Sequence, residues 1–270
     1  MYINLLMSTS KYFAQESHQN KVEIDLVDNF LRLENDLISQ LNGLSYGPDV
    51  EFIYNPIQYA YNLHKAFLKK FLVTHKKVLF LGINPGPWGM CQTGIPFGEV
   101  NIVKSYLKVD GEVLPPDNCH PQRPVNGLNC TRSEVSGKRL WNLFITLSKG
   151  DPYIFFKYCF IHNYFPLALM NKNAKNITPS DLKSIYQKKV QDICDKSLND
   201  VITLLGIDII VAIGNYAEKR SNEVIKKYKL NKIKVIKIPH PSPRSVGTTE
   251  KWESDTLNQL NSFDIIKLLK

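Results

Sequence analysis

Apolar residues run along the chain in two rhythms, one with positions three or four apart and one in short unbroken runs. In 22–41, Leu26, Phe30, Leu33, Leu37 and Leu41 keep the first rhythm with charges between them, which predicts an amphipathic helix laid against a core. Residues 43–49 stop it. Asn55 and Pro56 then predict a cap and first turn for a helix through Tyr59, Leu63, Phe67 and Phe71. The second rhythm begins at Val78-Leu79-Phe80-Leu81, which reads as a strand buried on both faces. Further strands are expected at 158–162, 207–213 and 232–238, the last mixing its isoleucines with lysines as an edge strand does. Between them fall a short helix over 99–107, a long ordered loop over 113–124, and a helix carrying Leu140, Trp141, Phe144 and Leu147. Thr178-Pro179-Ser180-Asp181 predicts the start of a helix reaching 198, with Thr as the cap and Asp near the dipole's positive end. Helices are also expected over 216–228 and around Trp252, Leu257 and Leu260.

Strands separated by helices imply right-handed crossovers into a mostly parallel sheet. The expected class is α/β, a three-layer α/β/α sandwich around a central four-stranded, mostly parallel sheet. A single domain is expected over 21–270, after a loose polar leader over 1–20.

The first strand delivers Gly82-Ile83-Asn84-Pro85-Gly86-Pro87-Trp88-Gly89-Met90, and then Gln92-Thr93-Gly94-Ile95-Pro96-Phe97-Gly98-Glu99-Val100. So much Gly and Pro predicts a rigid loop at the sheet's C-terminal edge, where open α/β sheets bind ligands. Asn84, Asn163 and His240 all fall at strand ends and can converge on one pocket. The set is neutral, which disfavours a metal site or a hydrolytic triad. No GxSxG, GxGxxG or GxxxxGK[ST] motif occurs.

Charge and cysteine content narrow the setting. A formal charge of +9 over 270 residues points to a polyanionic partner, although a merely soluble basic protein shows the same excess. Five cysteines, an odd number without a CxxC pair, suggest reduced thiols. Cys119, His120 and Cys130 lie close in sequence but lack a fourth ligand, so neither metal nor cofactor is expected. No run approaches the ~20 apolar residues of a bilayer span, and no membrane partner is expected.

The loop motif, together with Ser133-Glu134-Val135-Ser136-Gly137, His162-Asn163 and His240-Pro241-Ser242-Pro243-Arg244, resembles the single-strand-selective monofunctional uracil-DNA glycosylases over roughly residues 50–265. These form a branch of the uracil-DNA glycosylase superfamily, whose fold the resemblance implies. It also implies hydrolysis of the N-glycosidic bond of uracil and 5-hydroxymethyluracil in single- and double-stranded DNA, without a lyase step, initiating base excision repair. It further implies a nuclear location, or a cytoplasmic one in a bacterium. A monomer is expected, since one active site and one DNA surface fit on such a domain. By resemblance, Asn84 positions water, Phe97 stacks on the pyrimidine, Asn163 bonds the uracil edge and His240 stabilises O2. The region of Gly86 and Met90 accommodates a ring substituent, and Arg244 belongs to a duplex-invading wedge. Trp88 stands where Phe is common in the family, and Cys91 where a small residue is usual.

The residues themselves allow these roles and plainer ones. A carboxamide cannot take a proton near neutral pH, so Asn84 suits a reaction whose leaving group has largely departed before water adds; it can equally cap its loop. Asn163 matches the O4 and N3–H edge of uracil, or ties down a turn. His240 can donate to an oxygen gaining charge, with its protonation state open, or be structural. Phe97 can stack on a base or join the core. Met90 can wall the same pocket, and Gly86 permits close backbone approach. Ser136, Lys138 and Arg139 near a helix start can hold phosphate or form a solvated face. Pro241, Ser242, Pro243 and Arg244 can fill the gap left by an extruded base. Competing readings are a superfamily glycosylase for mismatched thymine or for xanthine and hypoxanthine, a module that binds damaged bases without cleaving them, and a nucleoside hydrolase.

Overall fold

In the computed structural model, which describes residues 26–242 and 248–269, the apolar runs pair into two sheets. The order of elements begins with helix α1 (26–42), strand β1 (Phe52–Tyr54) and helices α2 (Pro56–Tyr59) and α3 (Tyr61–Phe71). Strand β2 (Val78–Gly82) leads through α4 (Met90–Thr93) and α5 (Val100–Ile102) to α6 (Val135–Leu147) and α7 (Pro152–Tyr158). Strands β3 (Cys159–Asn163), β4 (Ala168–Met170) and β5 (Asn176–Ile177) precede α8 (Ser184–Leu205), β6 (Ile209–Ile213), α9 (Asn215–Tyr228) and β7 (Lys234–Ile238). A closing helix spans Thr249–Ser262.

The main sheet has four strands, all parallel, in the order β3-β2-β6-β7. Chain order departs from β2 in both directions, so the sheet's switch point lies at β2. Gly82 is in register with Asn163, and Ile213 with Ile238, which brings the C-terminal ends to one edge. β2 and β3 are buried at every residue, whereas β7, at the edge, exposes its lysines. Beneath the sheet, Phe80, Phe144, Phe155, Phe156, Phe71 and Trp141 form a continuous aromatic core, with Phe144 stacked on Phe155 at 4.3 Å and Phe71 on Phe156 at 4.1 Å.

Several expectations need correction. Asn55 does cap a helix, its side chain accepting from Gln58 N–H, but the helix breaks at Ala60 into α2 and α3. Thr178 does not start α8. Its hydroxyl and N–H both donate to Asp181, closing a separate turn, and the helix begins at Ser184 and ends at Leu205 with Gly206 left-handed. Glu99 does cap a short helix, accepting from Ile102 N–H, but 103–107 widens into a π turn. Helix α7 was missed, though Asp151 at its cap and Pro152 at its first position are ordinary start signals. The antiparallel sheet β1-β4-β5 was also missed. The leader lies outside the described residues.

Several buried polar groups inside this framework are partnered. Asp195 on α8 holds Arg220 of α9 and the Tyr164 hydroxyl, fastening the helices together. Lys76, 1% exposed, donates to the Phe71 carbonyl, and burial lowers its pKa to about 8. Behind β3, His64 bridges the Gly94 carbonyl (2.9 Å) and the Glu34 carboxylate (2.7 Å). Burial pulls the His64 pKa down, but Glu34 and the carbonyl together outweigh it and raise it. Its neighbour His162 has no such hydrogen-bond partner among the described residues, and burial, against a weaker pull from the Glu34 charge, pushes its pKa down to about 4.

Candidate active site

The loop after β2, the end of β3, the entry to α6 and the segment after β7 enclose a cavity of about 210 Å³. Asn84, Gly86, Met90, Phe97, Ser136, Asn163 and His240 all line it, so most of the residues singled out from the sequence meet in one place. It is smaller than the ~300–1,000 Å³ of pockets for drug-sized ligands, which suits a single ring. A wider depression of about 540 Å³ shares His240 but is otherwise lined by Gly214, Asn215, Asp255 and their neighbours, away from both asparagines. The smaller cavity is the candidate site.

Asn163 ends β3 and is 3% exposed. Its Nδ2 lies 3.1 Å from the Met90 sulfur, a weak acceptor, while its Oδ1 is buried with no hydrogen-bond partner among the described residues. A buried carbonyl left unsatisfied is costly, and a ligand N–H entering the cavity would satisfy it. Gly82, directly beside Asn163 in the sheet, makes this arrangement possible. A Cβ there would stand 2.3 Å from Asn163 Oδ1 and 2.5 Å from the Phe97 ring.

Phe97 is held at φ +56°, a left-handed conformation that costs a non-glycine residue about 1–3 kcal/mol. Bonds on either side fix it: Gly98 N–H to the Ile95 carbonyl, Glu99 N–H to the Phe97 carbonyl, and the Thr93 hydroxyl to the Gly98 carbonyl. Gly137 in the first turn of α6 lets the Phe97 carbonyl approach, since a Cβ there would stand 2.3 Å from it. The half-buried Phe97 ring therefore faces the cavity, its centroid 6.5 Å from that of His240.

His240 follows β7. Its Nδ1 accepts from the Ser242 N–H at 3.2 Å, and burial lowers its pKa. Together these define a neutral ring with its proton on Nε2, ready to donate. Asn84 uses Nδ2 to donate to the Pro85 carbonyl (3.4 Å) and to Asn176 Oδ1 (3.3 Å). Its own Oδ1 has no partner among the described residues and is available to accept from water.

Of the proposed DNA contacts, Ser136 lines the cavity and Lys138 is exposed on the first turn of α6. Pro241 is buried, its carbonyl accepting from Arg139 at 3.3 Å, and Ser242 is half-buried. Pro243 and Arg244 lie outside the described residues. Among the described residues no group of three or more candidate ligands is placed to hold a metal; His120 spends its ring nitrogens on the Lys172 carbonyl and Gln122 N–H, and Cys119 faces the Pro116 carbonyl.

Three residues without an assigned role complete the site. Asn176, on the short β5, orients Asn84. Glu134 accepts from the Trp88 N–H at 3.1 Å and fills the space against Gly86 and Gly89. Burial raises its pKa against the opposing pull of that bond and of Arg123. Gln92, 1% exposed, donates to the Pro87 and Pro124 carbonyls and accepts from Asn126 N–H, tying the Gly-Pro loop to the segment beneath it. Gln92 and Glu134 stand inside the quoted motifs, and a buried polar role was the readable signal. Asn176, in a two-residue strand, carried none.

Comparison with known proteins gives the chain's family. The family model described as the uracil DNA glycosylase superfamily matches residues 69–261. A single-strand selective monofunctional uracil-DNA glycosylase of Rattus norvegicus is 41% identical over 244 residues, covering 90% of this chain and 87% of the relative. The Bos taurus counterpart is 39% identical over the same length, covering 90% of this chain and 89% of its own. Among solved structures, wild-type SMUG2 of Pedobacter heparinus superposes with a TM-score of 0.63, covering 87% of this chain and 98% of that one; at 22% identity it bears on the fold alone. The extent of the family match and the identity to these relatives, together with the α/β fold and its parallel sheet, place this chain in the uracil DNA glycosylase superfamily.

Proposed function

We propose that the protein is a monofunctional uracil-DNA glycosylase that removes uracil and 5-hydroxymethyluracil from single- and double-stranded DNA. The observation that carries the reading is the buried, unpartnered Asn163 Oδ1 in a ring-sized cavity that also holds Phe97 and a neutral His240. Uracil offers N3–H to that oxygen and O4 to the amide nitrogen, whereas cytosine presents an acceptor and a donor in their place. The named activities of the relatives agree.

The base leaves the stack and enters the cavity against Phe97. The C1′–N1 bond breaks with its electron pair passing to the base, and charge collects on O2, where His240 Nε2–H donates. Water held by Asn84 Oδ1 adds to the oxocarbenium-like sugar and gives its proton to solvent. No lysine is among the described residues lining the cavity, in keeping with hydrolysis and no Schiff-base step.

The test is release of free base from oligonucleotides bearing uracil, 5-hydroxymethyluracil, cytosine, thymine or hypoxanthine, with chelator present. Release of uracil and 5-hydroxymethyluracil, and neither cytosine nor hypoxanthine, is expected. Tight binding of damaged DNA with no base released would leave the binding-module reading standing.

A further inference from the structure

Trp88 projects from the loop that forms the cavity wall, next to Pro87, and two guanidinium groups lie on its ring. Arg132 is 4.2 Å from the ring centroid and Arg123 is 5.2 Å from it. Both come from the long segment before α6. Neither forms an ion pair with a carboxylate among the described residues, and Arg132 is exposed. Lying over an indole face restrains a guanidinium and leaves N–H groups at its edge for the oxygens of a phosphate, although one of Arg123's, on Nη1, already donates to the Gln122 carbonyl at 3.1 Å.

The platform is built into the fold. Gln92 joins the Pro87 carbonyl to the Pro124 carbonyl, Tyr54 Oη donates to the Arg123 carbonyl at 2.8 Å, and Glu134 holds the Trp88 N–H. The loop carrying Asn84 and the segment carrying both arginines therefore form one unit. A cation pair fixed beside the opening that admits a base meets the backbone of the strand from which that base comes.

We propose that Arg123 and Arg132, laid on Trp88, form a phosphate clamp that grips the backbone of single-stranded DNA beside the mouth of the base cavity. The proposal rests on the glycosylase reading for its partner. It adds Arg123 and Arg132 to the DNA-contacting residues expected from the sequence.

The experiment measures binding of a labelled, uracil-free single-stranded oligonucleotide by fluorescence anisotropy across a series of salt concentrations. Unaltered protein, R132A, R132K and the R123A/R132A double variant are compared, with thermal melting as a check on folding. Each phosphate contact removed is expected to lower the magnitude of the slope of log affinity against log salt by about 0.7, so the double variant loses about 1.4. Affinity at low salt should fall roughly fivefold per arginine. R132K keeps the charge and loses the stacked fork, so it should keep the slope while binding more weakly. Slopes and affinities that coincide with the unaltered protein's in R132A and the double variant would overturn the clamp. Base release from a uracil oligonucleotide, measured in parallel, separates the two claims: unaltered protein that releases no uracil fails the glycosylase reading, while the salt slopes still report on the clamp.

Discussion

At the scale of single residues, the site depends on what is left unsatisfied and what is left out. Asn163 and Asn84 each use the amide nitrogen within the protein, and neither amide oxygen has a partner among the described residues. Gly82 supplies absence: with a Cβ 2.3 Å from Asn163 Oδ1 and 2.5 Å from Phe97, Gly82→Ala should close the base cavity. A displacement of this size should cost about 10²-fold in kcat/KM, while thermal melting should show a far smaller loss. His240 supplies a donor whose removal in His240→Ala should lower kcat by about 10²–10³-fold. Because burial lowers its pKa, the ring is neutral at pH 7 and the rate should hold steady until the pH drops below the ordinary histidine value. At more acid pH a proton reaching Nδ1 would confront the Ser242 N–H, and kcat should fall. A pH profile of His240→Gln should lack that acid limb; a limb of the same shape in both proteins would assign it elsewhere.

At the scale of elements, the main strands were legible because a buried parallel strand writes itself as an unbroken apolar run, as in Val78–Gly82 and Ile209–Ile213. The loop after β2 was legible through its Gly and Pro, and His240 through the prolines around it. Signals of one or two hydrogen bonds were harder to read. The Thr178 turn carries the same residue types as a helix cap and differs only in where the chain goes next. β5 has two residues, too few for a period, and yet it carries the Asn176 that orients Asn84. Gln92 was visible in the motif, but its role depends on Pro124 and Asn126, some thirty residues away, coming to meet it. Gln92→Ala would orphan three backbone groups at once and should destabilise the protein by about 3 kcal/mol, read from the urea midpoint. It should also weaken catalysis, because the Gly-Pro loop loses its anchor. An unchanged midpoint would show that the loop holds itself.

At the scale of the whole molecule, one parallel sheet gathers distant residues onto one edge, and the same burial that positions them makes the fold sensitive to acid. His162, 6% exposed, has its folded pKa pushed down to about 4. The unfolded chain therefore takes up a proton before the folded one does. Its contribution is complete above the unfolded value of about 6.5 and is lost as pH falls from there towards 4, about 3 kcal/mol in all. His64 has a raised pKa, so its contribution is already complete on the acid side and adds no slope there. Urea midpoints between neutral and mildly acid pH should fall in the unaltered protein and flatten in His162→Gln. The basic charge of the chain, +9, belongs to this scale as well, as a general attraction for a polyanion. The central claim is that this edge hydrolyses a glycosidic bond with water held by Asn84. The measurement that tests it most directly is release of free uracil and 5-hydroxymethyluracil from single-stranded oligonucleotides by the unaltered protein and by Asn84→Ala. Both bases should appear with the unaltered protein and be lost or strongly reduced with the variant, which should still bind the DNA. No release by a folded protein that binds DNA, or undiminished release by Asn84→Ala, would contradict the account.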